Sequence, residues 1–369
     1  MVDFAKARKG LPRLGARLRA GEEVRIVAFG GGLTYDGYYL ASAARMLRTA
    51  YPAAVIETAT RALPGFPSER SVFRAQSVLD MNPDLAFVEF ASEDVYAKPE
   101  RIAFAAEGIV RRLRWKDPER DLAFVYFGSM QHAADGSASR VVAQWERVAD
   151  YYGIPSFDCN LLAEWFVQKQ IAIWLERWPG RRSWNDRRPI GLTRDGVLHT
   201  AGGGSLYGSH IAQAIVTMTH PATLMTQGEL VAPLLHANWS DATMLNGTRL
   251  IGEGWVGGPL TDELQSSSIA ICFDELSAAA YQGARLRVDF IGRFASLWVV
   301  GTGGTVGIAI DGRWSDVRTA ADGSHCAHEL LSESENRRHT IEIEARVLPA
   351  VVAGLDLLGQ VLPEPASNG

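Results

Sequence analysis

Four acidic residues stand at positions where paired carboxylates could do chemistry. Asp36 follows the first apolar run of the chain, Glu93 and Asp94 follow the third, and Asp195 lies in an Arg-Asp-Gly sequence. Two carboxylates can share the acid and base roles in cleaving a glycosidic bond, and several can hold a divalent cation. The simpler interpretation is that Asp94 and Asp195 cap turns and that Glu93 is solvated. The sequence leaves these alternatives open.

A second group of residues suits the recognition of a ligand. Flat aromatic rings stack on sugars, and guanidinium groups pair with carboxylates or phosphates through two hydrogen bonds. Tryptophans and arginines interleave between positions 174 and 188, and we single out Trp184, Arg187 and Arg188 as candidate ligand contacts. A solvated loop with partly packed tryptophans is the alternative. The segment fits a glycan or an anionic ligand.

No short motif indicates a cofactor or a metal. The Gly-Gly-Gly-Ser run at 202–205 lacks the lysine of a phosphate-binding loop and is interpreted as a flexible entry to a helix. His325, Cys326 and His328 are metal-ligand types, but they lie too close together to bind zinc without distant partners. We therefore predict neither a cofactor nor a metal site.

A regular alternation of strands and helices must position the acidic residues. Apolar runs predict strands, and helical spacing of apolar residues predicts helices. The predicted strands are 24–29, 54–58, 85–90 and 122–127, and the predicted helices are 37–49, 68–81, 100–115, 137–152, 161–178 and 206–218. This alternation indicates a parallel sheet covered by helices on both faces. Functional groups gather at the carboxyl ends of such strands, where Glu93 and Asp94 are expected.

The pattern changes near residue 220. Short runs rich in Val, Ile, Trp and Phe follow, separated by Gly and Asp, at 285–290, 296–300, 306–310 and 339–345. They predict a mostly antiparallel domain, a β-sandwich or jelly roll. We therefore expect residues 1–222 to form an α/β domain and residues 223–369 to form a β domain. The segment 347–360 is expected to be a short helix or an edge segment.

Composition excludes several partners. The chain has 369 residues, of which 47% are hydrophobic and 21% charged, and a net charge of -5 at pH 7. This charge offers no basis for binding nucleic acid or an anionic membrane. No run reaches the roughly 18 apolar residues of a membrane span. Three widely spaced cysteines imply no disulfide framework, so a reducing, cytoplasmic location is expected. The oligomeric state is not indicated.

Four sequence blocks resemble, in order, those of the SGNH (GDSL-type) hydrolases. The blocks are Phe29-Gly-Gly-Gly-Leu-Thr34, Pro64-Gly65-Phe66, the stretch 82–94, and Arg194-Asp-Gly-Val-Leu-His-Thr200. The resemblance covers about the first 220 residues and implies a three-layer, flavodoxin-like α/β domain with ester hydrolase chemistry. Carbohydrate esterases of this superfamily sometimes pair that domain with a β domain. The resemblance therefore implies an acylated carbohydrate or polysaccharide as ligand.

Three positions depart from the residues that this resemblance implies. Gly32 replaces the nucleophilic serine, Glu93 replaces an asparagine of the oxyanion hole, and Leu198 replaces the base histidine. Glycine has no hydroxyl with which to attack an ester. An ionised carboxylate donates no hydrogen bond, and its charge repels a developing oxyanion.

Other positions match or nearly match the resemblance. Asp195 is where an aspartate would orient the base, and Gly65 is where a backbone N–H would join that of Gly32 in the oxyanion hole. His199 lies one residue after the expected base. In an extended segment this shift turns the side chain to the opposite face, whereas a loop can correct it. The position of His199 in space is therefore left open.

Three hypotheses about function follow from these residues. The first is a relative of the carbohydrate (acetyl) esterases that has lost the standard Ser-His-Asp mechanism. The second is a catalytically inactive protein that binds a glycan or a partner in the retained cleft. The third is a carboxylate-based hydrolase acting on a glycan.

Overall fold

A computed structural model describes residues 2–130, 137–177, 189–220, 230–235, 239–250, 252–260 and 273–363, except the side chains at positions 137, 138 and 334. The chain divides into two compact units, Met1–Ser240 and Asp241–Gly369. Among the described residues, no helix is both long enough and apolar enough to cross a membrane.

The division between the units differs from the sequence prediction, which places it after residue 222. The cause is a segment that bonds back to the first unit. Backbone N–H groups of Leu234 and Leu235 donate to the buried Glu107 carboxylate. The Trp239 N–H donates to the Phe104 carbonyl oxygen at 3.2 Å. These contacts keep the segment with the α/β unit.

The described residues of the first unit contain a six-stranded sheet. Its strands are β1 (Ala5–Lys6), β2 (Glu23–Gly30), β3 (Val55–Ala62), β4 (Leu85–Glu89), β5 (Asp121–Tyr126) and β6 (Ser156–Asp158). They lie in the order β1-β6-β5-β4-β2-β3, with β2 to β6 parallel and β1 antiparallel to β6. The predicted parallel sheet is confirmed. The order reverses between β2 and β4, and such a switch point is where open α/β sheets bind ligands.

Helices connect and cover these strands. They are α1 (Pro12–Ala20), α2 (Gly32–Tyr35), α3 (Tyr38–Ala50), α4 (Ser68–Ser71), α5 (Ala75–Leu79), α6 (Pro99–Arg114), α7 (Ser137–Tyr152), α8 (Cys159–Gln168) and α9 (Ala201–Met218), with 3-10 turns at Val72–Arg74 and Asp94–Tyr96. Two short strands, β7 (Ala172–Ile173) and β8 (Ile190–Gly191), pair in parallel.

Two helix predictions are wrong at their edges. The predicted helix 161–178 ends at Gln168, and the chain continues into β7. The glycine run 202–205, expected to be a flexible entry, lies inside α9. Its glycines permit close packing, since a Cβ on Gly203 would lie 2.2 Å from the Leu192 carbonyl oxygen. The run therefore serves helix packing.

The described residues of the second unit form an antiparallel sheet of eight strands. These are β9 (Ala242–Asn246), β10 (Trp255–Pro259), β11 (Glu275–Ala279), β12 (Arg285–Val300), β13 (Thr305–Ile310), β14 (Arg313–Arg318), β15 (His325–Val347) and β16 (Val351–Val361), with a 3-10 turn at Gly247–Arg249. The order is β10-β11-β16-β12-β15-β13-β14, and β9 also pairs with β16. The predicted antiparallel β domain is confirmed.

The segment 347–360 is not the short helix or edge segment expected from the sequence. It supplies β16, which pairs with β9, β11 and β12 and is therefore an inner strand. Its residues 352–358 are all buried. A strand covered on both faces shows a continuous apolar run rather than alternation, and such a run does not distinguish a strand from a helix.

Candidate functional site

The candidate site lies where β2 and β4 end, at the switch point of the sheet. Gly30 ends β2, and the chain turns at once into α2, which begins at Gly32. The Gly31 N–H donates to the Glu89 carbonyl oxygen at 3.0 Å, and the Leu63 N–H donates to the Gly30 carbonyl oxygen at 2.7 Å. These backbone bonds bring the first three sequence blocks together.

The Glu93 carboxylate binds the backbone donor of this turn. The Gly32 N–H donates to Glu93 Oε1 at 2.7 Å. A Cβ at Gly31 would lie 2.3 Å from Glu93 Cγ, so glycine at that position lets the carboxylate approach. The second oxygen, Oε2, accepts no hydrogen bond from the described residues. It also is not buried. It is therefore accessible to solvent as an acceptor.

A second carboxyl group, Glu89, lies buried beneath the turn. It accepts hydrogen bonds from the hydroxyls of Thr34 (3.1 Å) and Ser92 (3.0 Å). Burial, with the nearby Glu93 carboxylate, raises the pKa of Glu89 to about 8, so the group is protonated at neutral pH. The sequence analysis does not single out Glu89. In the sequence, Glu89 could have been recognised as an acidic residue at the end of an otherwise apolar strand, where burying an ionised group is energetically costly.

Leu198 lies against the position that a nucleophile would occupy. A Cβ on Gly32 would be 3.4 Å from Leu198 Cδ2, 3.4 Å from Glu93 Oε1 and 3.9 Å from Pro64 Cβ. These are ordinary van der Waals distances, so a Cβ fits at this position. Its neighbours would be a carboxylate and an apolar group, and neither of them is a histidine base.

His199 lies in the core of the α/β unit. It is 2% exposed, and its ring centroid is 4.6 Å from that of Phe127 and 4.9 Å from that of Tyr207. Neither ring nitrogen has a hydrogen-bond partner among the described residues. Burial, with a smaller contribution from Arg194, lowers the pKa of His199 to about 3. The imidazole is therefore neutral and enclosed by aromatic rings.

Asp195 and Gly65, the two positions that match the resemblance, stabilise the turns in which they lie. Asp195 Oδ1 accepts hydrogen bonds from the backbone N–H groups of Val197 (3.0 Å) and Leu198 (2.7 Å), so the carboxylate caps its own turn. Gly65 lies in an exposed turn with a φ of +78°, a conformation that favours glycine.

The remaining candidate carboxylates also have structural partners. Asp94 is fully buried and accepts hydrogen bonds from the Ser68 N–H (2.7 Å), at the start of α4, and from Trp145 Nε1 (3.0 Å). Burial raises the pKa of Asp94 to about 7. Asp36 forms an ion pair with Arg194 at 2.9 Å. Within the described ranges, no group of three or more His, Cys, Asp or Glu side chains is placed to hold a metal ion.

The predicted ligand contacts Trp184, Arg187 and Arg188 lie outside the described residues and stay predictions. From the same segment, Trp174 is described. It is half-buried and packs against the core of the α/β unit.

Comparisons with known proteins find solved structures that are similar over nearly the whole chain. No family model matches the sequence, and no curated protein matches it. A two-domain esterase active on acetylated mannans is similar in structure, with a TM-score of 0.71 and 18% identity over 96% of this chain and 97% of that one. A structure of such an esterase co-crystallised with mannopentaose has a TM-score of 0.69 and 17% identity, over 97% of this chain and 98% of that one. The chain therefore shares the fold of these two-domain esterases, an α/β domain followed by an antiparallel β domain.

Proposed function

We propose that this chain is a carbohydrate-binding protein on an SGNH esterase fold that has lost Ser-His-Asp ester hydrolysis. The observation that supports this most directly is the 2.7 Å hydrogen bond from the Gly32 N–H to Glu93 Oε1. In an acyl-transfer site, this donor must be directed at the oxyanion that forms in the transition state. Here the Glu93 carboxylate accepts the hydrogen bond from this donor, and its negative charge repels the negative charge of an oxyanion.

Two further features support the loss of hydrolysis. Gly32 supplies no hydroxyl, and the apolar Leu198 side chain lies 3.4 Å from a Cβ placed on Gly32, beside the expected position of the nucleophile. Nucleophile, base and oxyanion donor are separate contributions to ester cleavage. Because each is altered by a different residue, restoring one of them leaves the other two absent.

The class of ligand is inferred from the architecture and from the exposed groups at the switch point. The similar esterase is active on acetylated mannans, and a second structure is of such an esterase co-crystallised with mannopentaose. In this chain, Glu93 offers an accessible carboxylate oxygen, and Tyr35, three residues after Gly32, is 53% exposed. Carboxylates accept hydrogen bonds from sugar hydroxyls, and aromatic rings pack against sugar faces. We infer a mannan-like oligosaccharide as the ligand.

The test restores the missing groups in turn. The variants are Gly32→Ser, Gly32→Ser with Leu198→His, and both of these with Glu93→Asn. We expect no release of acetate from acetylated mannooligosaccharides by the unmodified protein or by Gly32→Ser alone. We expect the unmodified protein to bind mannooligosaccharides in isothermal titration calorimetry. Hydrolysis by either of those two proteins would contradict the proposal.

The described contacts offer less support to a carboxylate-based glycan hydrolase. Such an enzyme needs two carboxyl groups that both reach the substrate. Glu89 is fully buried and bonded to Thr34 and Ser92, so only Glu93 of this pair can touch a sugar. New reducing ends after incubation with mannan would favour that mechanism over simple binding.

A further inference from the structure

The turn at Gly32 has the opposite hydrogen-bonding character from an esterase site. An esterase turn presents N–H donors to the oxygens of an ester. Here Glu93 Oε1 accepts the Gly32 N–H at 2.7 Å, and the accessible Oε2 can only accept further hydrogen bonds. From this reversal we infer that the site recognises unesterified sugars, through hydroxyl or ammonium donors, in preference to acetylated ones. The inference rests on the proposed carbohydrate binding.

The charge of Glu93 is available to a ligand. In the described part of the chain Glu93 forms no ion pair, and Arg194 from the fourth sequence block pairs with Asp36 instead. Glu89 beneath it is protonated at neutral pH, because burial and the Glu93 carboxylate raise its pKa to about 8. Hydrogen bonds to an ionised acceptor are roughly twice as strong as neutral ones. A sugar hydroxyl or ammonium group, which can donate to this carboxylate, therefore forms the strongest hydrogen bond at this position.

An acetyl group forms no hydrogen bond with the Glu93 carboxylate. An ester has two oxygen acceptors and no donor, so it would bring oxygen lone pairs against the carboxylate. Acetylating the contacting hydroxyl also removes the proton that the carboxylate would accept. The same carboxylate that blocks the oxyanion position thus selects against the substrate form of the carbohydrate and for its deacetylated form.

The test compares three oligosaccharides by isothermal titration calorimetry: mannopentaose, O-acetylated mannopentaose and a glucosamine pentamer. We expect the unmodified protein to bind mannopentaose about tenfold more tightly than its acetylated form, the effect of one hydrogen bond to a charged group. The glucosamine pentamer tests an ammonium donor, although its configuration at C2 also differs from that of mannose. Binding at least as tight as that of mannopentaose would support an ammonium donor to Glu93.

Replacing the carboxylate at position 93 by an amide, which can donate a hydrogen bond, makes the test more specific. Glu93→Gln can keep the bond from the Gly32 N–H through its amide oxygen, while its NH2 group becomes a donor toward the ligand. We expect mannopentaose binding to weaken about tenfold and the preference to shift toward the acetylated form. Glu119→Gln, an exposed carboxylate in a turn, is the matched control and should change neither affinity.

The outcomes separate this inference from the proposed function. Equal or tighter binding of acetylated mannopentaose by the unmodified protein overturns the inference and leaves carbohydrate binding intact. An unchanged preference in folded Glu93→Gln overturns it as well. Failure of all three oligosaccharides to bind overturns the proposed function itself. The comparison made with the unmodified protein does not depend on whether the variant folds.

Discussion

His199 should be a source of instability rather than a catalytic group. Its ring is 2% exposed, and both nitrogens lack hydrogen-bond partners among the described residues. Burying a polar group without a hydrogen bond costs about 1–3 kcal/mol in protein mutational data. Phenylalanine would keep a flat ring against Phe127 and Tyr207 and remove both polar atoms. We expect His199→Phe to raise the free energy of unfolding by about 1–3 kcal/mol at pH 7.5.

The gain from this substitution should grow in acid. Burial lowers the pKa of His199 to about 3 in the folded protein, from an ordinary value of 6.5. Between these values the unfolded chain binds a proton that the folded chain does not, so stability is lost as the pH falls. From pH 6.5 to pH 5 the loss is roughly 2 kcal/mol, at about 1.4 kcal/mol per pH unit. Phenylalanine does not titrate, so the variant escapes this loss.

The assay is urea denaturation at pH 7.5 and pH 5, followed by tryptophan fluorescence. His210→Phe is the matched control, because His210 Nδ1 lies 2.9 Å from the Leu206 carbonyl oxygen, and no gain is expected there. His199→Leu guards against overfilling of the pocket by phenylalanine. A loss of stability in both His199 variants, or a difference that does not change with pH, would refute the reasoning.

Three further predictions concern the groups around the site. Asp94→Ala leaves the buried Ser68 N–H and Trp145 Nε1 without this acceptor, so a loss of about 2–4 kcal/mol is expected in thermal denaturation; an unchanged midpoint would contradict the capping role. Gly208→Ala would place a Cβ 2.2 Å from a backbone oxygen of α3 and should destabilise the α/β unit by about 2 kcal/mol or more, measured by chemical denaturation. Glu89 is protonated in the folded protein up to about pH 8, so its own contribution to the stability of the unmodified protein should decline as the pH rises from 4.5 toward 8. Glu89→Gln should remove this decline and be more stable by up to about 3 kcal/mol at pH 7; parallel pH profiles for the two proteins would argue against a buried, protonated Glu89.

Much of the fold could be predicted from local patterns. The apolar runs at 24–29 and 85–90 correspond to β2 and β4, because a parallel strand buried on both faces needs apolar residues throughout. Prediction failed where neighbouring elements decide the structure. The run at 347–360 became the inner strand β16 only because three other strands pair with it.

The candidate site could be predicted in part. The absence of a hydroxyl at position 32 and of an imidazole at position 198 follows from residue type, since an absent functional group needs no coordinates to be recognised. The bonding of Glu93 does not follow from residue type. Its partner is 61 positions away in the chain, and only the pairing of β2 with β4 brings the two together.

The sequence by itself thus determined the two-domain class and the absence of a hydroxyl at position 32 and of an imidazole at position 198, because both follow from local residue types. Only the tertiary structure decided where the charges lie. Exclusion of water protonates Glu89 and keeps His199 neutral in the core, whereas Glu93 stays half-exposed at the switch point. Burial and through-space distance control these states, and neither is a property of a short stretch of sequence.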